Sequence, residues 1–142
     1  MTDIDFKYSH AAILVSNLER SMDFYQRAVG WTHSFTLEQG SDLGEANAVG
    51  GSGRISFGLL GGVPLEFVEM QVPLERRSSP NHYGLFLVSV TVSEIEPVLK
   101  RLAENNIPIT RDVQVTGVRL LVLTDPDGQE VCIIYSAPAE NP

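Results

Sequence analysis

The chain has little that would tie it to a membrane, a nucleic acid or an oxidising compartment. It carries one cysteine, Cys132, in 142 residues, so no intrachain disulfide can form. No apolar run approaches the roughly 18 residues that a membrane span needs. The first ten residues, MTDIDFKYSH, lack the charged-then-apolar layout of a secretory signal, and a cytoplasmic protein is expected. Basic residues are also scarce, 10 against 18 acidic ones, for a formal net charge of −8. Such a surface repels nucleic acid and anionic membrane, and neither is expected as a partner. A cationic ligand is permitted but not required.

What is present is an internal repeat. Residues 10–30, HAAILVSNLERSMDFYQRAVG, recur in degraded form as residues 87–106, LVSVTVSEIEPVLKRLAENN. Each stretch begins as an apolar strand, passes a short polar turn and continues as an amphipathic helix. With Val15 laid on Val92, Leu18 falls on Ile95, Met22 on Leu99 and Tyr25 on Leu102, so one apolar helical face is kept. His10 falls on Leu87.

In chain order, residues 7–15 read as a strand and Asn17 as a helix cap. Gly30 ends the first helix, and 31–37 is a second strand. Residues 38–53 hold five glycines without periodicity and read as a long surface excursion, often a lid in a compact domain. Residues 54–60 and 63–70 form a hairpin on Gly61-Gly62, which supplies the positive φ angles of a tight turn. A connector covers 72–82. Then come a strand at 83–92, a helix at 94–104, a strand at 107–113, and strands 118–123 and 130–135 around Asp125-Pro126-Asp127-Gly128. The tail from 137 is too polar to pack. The expectation is an α+β fold of two βαβββ modules, 8–71 and 83–135, whose curved sheets enclose a cavity.

His10, FYQRAVGW, the glycine-rich excursion, PLEFVEM and LTDPDGQEVCIIY together resemble the vicinal oxygen chelate superfamily, which includes glyoxalase I, methylmalonyl-CoA epimerase, extradiol dioxygenases and bleomycin-resistance proteins. The resemblance runs from about Tyr8 to Tyr135. It implies the glyoxalase-like fold and a small-molecule site, but no single reaction. In the metal-dependent members each module supplies ligands, commonly His and Glu, from its first and last strands. Carried over, these positions are His10 and Glu66 in the first module, and Leu87 and Cys132 in the second. Half the chelate is missing, since leucine offers an ion no donor.

The site expected from this resemblance is a cavity lined by His10 and Glu66 on one side and by Leu87 and Cys132 on the other. His10 and Glu66 are its catalytic or polar-anchor residues. No tight metal and no other cofactor is expected, only weak divalent binding at His10 and Glu66. Strand alternation alone does not orient Glu66, because Glu66, Val68 and Met70 oppose Leu65, Phe67 and Glu69 with two apolar residues on each face. Cys132 also reads as a small buried residue, and Glu130 as a rim group or a solvated strand end. His33 and His82 stand at non-motif positions, and Arg76 and Arg77 read as solvated connector residues rather than an anion site. Trp31 and Phe24 read as core. Three functions compete: a lyase, isomerase or epimerase on a small oxygenated molecule, a metal-free sequestering protein of the bleomycin-resistance type, and a scaffold. Full glyoxalase I or extradiol dioxygenase activity is disfavoured. A homodimer is expected, since short two-module chains of this superfamily frequently close the cavity across two copies.

Overall fold

The repeat is realised as two similar halves in the computed structural model, which describes residues 4–38, 53–72, 74–76 and 83–137. The first half contains β1 (Ala11–Leu14), α1 (Leu18–Val29), β2 (Thr32–Leu37), β3 (Gly53–Leu60) and β4 (Val63–Met70). The second contains β5 (Leu87–Val92), α2 (Glu96–Glu104), β6 (Arg111–Val115), β7 (Val118–Thr124) and β8 (Glu130–Ser136). Each half builds one four-stranded sheet, ordered β1-β4-β3-β2 and β5-β8-β7-β6. In both, the outer first strand runs parallel to the last and the other pairings are antiparallel. The fold is therefore α+β, as expected. Residues 39–52 of the excursion, Arg77 and His82 in the connector, and the tail from 138 lie outside the described residues.

Local chemistry sets the helix ends. The Asn17 side chain accepts from the Arg20 backbone N–H at 2.9 Å, and Gly30 closes α1 in the left-handed region at φ 73°. Three strands differ from expectation. β1 starts at Ala11, because the next position on its parallel partner is Pro64, which has no N–H for the ladder. β5 starts at Leu87 opposite Glu130, the first residue after the turn in its partner strand. Residues 107–110 are not strand either: Asn106 sits at φ 54° and Ile107 donates back to Leu102 O at 2.9 Å, a helix-ending turn that buries Ile107.

One apolar core joins the halves. It gathers Ile13, Val15, Leu65 and Phe67 of the first half and Leu121, Leu123, Val131 and Ile133 of the second in one cluster with Leu18 and Tyr25 of α1 and Leu102 of α2. Trp31 is 2% exposed and donates from Nε1 to Leu65 O at 2.8 Å, so it belongs to the core, as does Phe24. Polar groups complete the seam. Asp125, 3% exposed, accepts from Tyr25 Oη at 2.8 Å and from the Asp127 and Gln129 backbone N–H groups. Asp127 accepts from the backbone N–H and the hydroxyl of Ser16. Arg101 of α2 donates to the Gln26 and Arg27 carbonyls at the end of α1, both at 2.7 Å. Among the described residues no helix is long and apolar enough to cross a membrane.

Candidate functional site

Alternation along β4 places the site. Leu65 and Phe67 turn into the core at 4% and 0% exposure, so Glu66 and Val68 occupy the opposite, open face of the first sheet. Glu69 lies on the core-facing side, where it has polar work: its Oε2 accepts from the Leu18 N–H at the start of α1 at 2.7 Å, and Arg54 binds it at 3.1 Å. A carboxylate is favoured at a helix N-terminus, which explains why this apolar-sided register is stable.

On the open face Glu66 meets His10, the residue immediately before β1. His10 Nε2 stands 3.5 Å from Glu66 Oε2, with side-chain exposures of 43% and 14%. The Ser9 hydroxyl lies 2.8 Å from His10 Nδ1, so the ring is approached at both nitrogens. These groups line a groove of about 290 Å³ whose other walls are Ser34, Phe35, Phe57 and Leu59. Phe35 and Phe57 are cross-strand partners with stacked rings, centroids 4.5 Å apart and planes at 16°. A register shift between His33 and Phe35 brings Ser34 to the groove beside Phe35. An imidazole and a carboxylate beside an aromatic wall can exchange protons with a bound molecule and hydrogen-bond its oxygens.

The second sheet differs at the equivalent place. Ala12 pairs with Glu66 and Ser89 with Cys132, so the register itself equates Glu66 with Cys132 and His10 with Leu87. Cys132 is 4% exposed, and burial pushes its thiol up from the ordinary value, against the pull of Arg111. Arg111 is engaged with Glu130 at 2.8 Å. Leu87 and Cys132 do not line the groove that holds His10 and Glu66. The structure thus brings together one pair of the four expected residues and leaves the other pair on the second sheet. His33 bonds to Thr36 at 2.8 Å and does not line the groove, and Arg76 donates to Pro126 O at 2.8 Å. Among the described residues no group of three His, Cys, Asp or Glu side chains stands together as an ion would require.

A larger cleft of about 690 Å³ lies along the seam, between the end of β1, Val72 with residues 74–76, and the turn at 125–129. Four of its charged groups are engaged by the protein, Asp125 with Tyr25, Asp127 with Ser16, Arg20 with Ser16 and Arg76 with Pro126, and Glu75 is its other charged lining residue. The smaller groove is the better site because its polar atoms face an apolar wall. Sequence reasoning missed Ser9, Ser34 and the Phe35–Phe57 wall. The alternation of β3, which sets Phe57 opposite in direction to the buried Ser56, was the available signal.

A sequence profile of the Glyoxalase/Bleomycin resistance protein/Dioxygenase superfamily matches residues 7–133. An uncharacterized protein of Bacillus subtilis (strain 168), YwkD, is 31% identical over 121 residues, covering 83% of this chain and 88% of that protein. A glyoxalase family protein from Bacillus cereus superposes with a TM-score of 0.77 at 16% identity, over 95% of this chain and 97% of its own. The fosfomycin resistance protein FosX from Listeria monocytogenes, solved with Mn(II) and 1S,2S-dihydroxypropylphosphonic acid, gives 0.64 at 14% identity, over 95% of both chains. At such identities the two structures share the fold alone.

Proposed function

The chain belongs to the Glyoxalase/Bleomycin resistance protein/Dioxygenase superfamily, and from that membership we propose that it binds a small oxygenated molecule in the groove of its first sheet. His10 and Glu66 act on that molecule as an acid–base pair, in a lyase, isomerase or epimerase reaction. One observation supports this reading: the 3.5 Å approach of His10 to Glu66 in a groove that Phe35, Phe57 and Leu59 also line. Glu66 takes a proton from the carbon beside a carbonyl, and His10 hydrogen-bonds the oxygen on which charge develops. The reading includes no tightly held metal, since the second pair of ligand positions carries Leu87 and Cys132. Loose divalent binding at His10 and Glu66 is compatible with it.

The same reading includes a homodimer. Leu14, Val68, Ile55 and Leu37 pair in sequence across the open face of the first sheet, and Leu14 and Leu37 are 47% and 39% exposed. An apolar row beside a binding groove favours cover by a second copy, which would also close the groove. Light scattering that finds only monomer at micromolar concentration would reject the dimer.

Glu66→Gln tests the chemistry, because it keeps the shape of the side chain and removes the base. Binding retained with turnover abolished is expected of the enzyme. Weakened binding of a molecule that the wild type never turns over would instead assign the chain to sequestration.

A further inference from the structure

We infer that the groove selects a ligand whose recognised part is a planar ring with a hydroxyl or amino group on it or on the carbon next to it and no negative charge, and that it excludes phosphonates and carboxylates. The inference rests on the groove being the binding site, but not on the acid–base chemistry assigned to it.

The charge lining decides the first half. Among the described residues no lysine or arginine lines the groove, and Glu66 is the carboxylate that does. Arg54, on the same sheet, is turned to the other face, where Glu19 and Glu69 hold it at 2.7 and 3.1 Å. An anion entering the groove would therefore meet a largely shielded carboxylate, with only the His10 ring to offset it. In a recess of lowered dielectric that repulsion is stronger than in water. The formal net charge of −8 repels the same ligand during approach. A phosphonate of the kind bound by the FosX relative thus finds no cationic clamp here.

The wall decides the second half. Phe57 of β3 stands between Glu66 of β4 and Phe35 of β2, both rings line the groove in a near-parallel stack, and Phe35 is 52% exposed, so an apolar aromatic surface is presented there. Aromatic faces take other rings in offset or edge-on contact. The irregularity between His33 and Phe35 sets the Ser34 hydroxyl beside that wall, and Ser9 supplies another next to His10. Each hydroxyl can donate or accept, which suits a ring substituent that is itself a hydroxyl or an amine. At Gly58 the groove is lined by bare backbone, and the volume of about 290 Å³ is close to the lower end for small-molecule sites, room for a single ring and its substituents.

The test uses four probes that share one ring: benzyl alcohol, benzylamine, benzoate and phenylphosphonate, titrated at up to millimolar concentration and followed by amide and side-chain NMR shifts of the full chain. Benzyl alcohol and benzylamine are expected to shift His10, Ser34 and Phe57, and the two anions to bind at least about tenfold more weakly. Phe35→Ala should weaken the two binding probes by about tenfold, while Phe35→Tyr restores them and shows that the fold is intact. Glu66→Gln should bring phenylphosphonate up towards benzyl alcohol, a gain that a purely catalytic role for Glu66 would not produce. Equal binding of phenylphosphonate by the wild type, indifference of the ring probes to Phe35→Ala, or no shift with any probe would each overturn the inference. Loss of turnover alone in Glu66→Gln, with probe selectivity unchanged, would leave the acid–base reading standing and refute this one.

Discussion

Replacing Tyr25 with phenylalanine removes one atom from the seam between the halves, and the structure gives the size of the effect. The Tyr25 hydroxyl donates to Asp125 Oδ2 at 2.8 Å, and both residues are buried, at 0% and 3% exposure. Burial pushes the Asp125 carboxyl up from its ordinary range, while the Gln129 and Asp127 N–H groups and the Tyr25 hydroxyl pull it back. Tyr25→Phe leaves the carboxylate with its two backbone donors only. A hydrogen bond to a charged group contributes roughly 1.5–3 kcal/mol, so a loss of about 2 kcal/mol is expected. For a chain of this size that is a fall in Tm of about 6 °C. Urea unfolding followed by fluorescence reads it directly, because Trp31 is the only tryptophan and is 2% exposed. Asp125→Asn keeps an acceptor for the two backbone N–H groups and turns its amide to the phenol oxygen, so it should be milder. The double variant should then reveal a coupling of about 1 kcal/mol. A Tyr25→Phe variant within about 0.5 kcal/mol of wild type, or strict additivity with Asp125→Asn, would refute the seam as described.

Three other outcomes are expected. Burial and the Asp125 charge raise the Tyr25 phenol well above its ordinary 10.0, so the stability it contributes is fully present below that pH and lost as pH rises past it. Urea midpoints should fall steeply on the alkaline side in the wild type, with a shallower fall in Tyr25→Phe. A Cβ at Gly58 would overlap the Trp31 ring and the Thr32 carbonyl, so Gly58→Ala should destabilise by about 3 kcal/mol and shift the Trp31 emission, whereas an unchanged urea midpoint would contradict the packing. Titration with Zn²⁺, Ni²⁺, Mn²⁺ and Fe²⁺, after removal of any carried metal with chelator, should show only weak binding that His10→Ala abolishes; stoichiometric tight binding would displace the metal-free reading.

Features decided by neighbours in sequence were legible before the fold was known. The Asn17 cap, the Gly30 stop, the Gly61-Gly62 hairpin at φ 57° and 83° and the turn at Gly128 each follow from what one or two residues can do. The direction of Glu66 was not legible, because its strand carries two apolar residues on either side. What orients it lies far along the chain: the Leu18 N–H waiting for Glu69, 51 residues away, and the core waiting for Leu65 and Phe67. The turn at 125–128 was readable as a turn, but its two aspartates could not be seen as the partners of Ser16 and Tyr25. The groove's aromatic wall escaped for a similar reason, since Phe35 and Phe57 come together only once β2 and β3 are registered.

The seam also says what the connecting segment is for. Ser16, Tyr25, Asp125 and Asp127 hold the halves together, and none of them lies between residues 72 and 82. Of its described residues Arg76 adds one bond across the seam, to Pro126 O, and the covalent link itself sets the effective concentration of one half for the other. A chain cut within it should persist as a non-covalent pair of fragments, and two separately synthesised fragments should find each other, with an affinity set by Tyr25, Asp125 and the apolar surface around them.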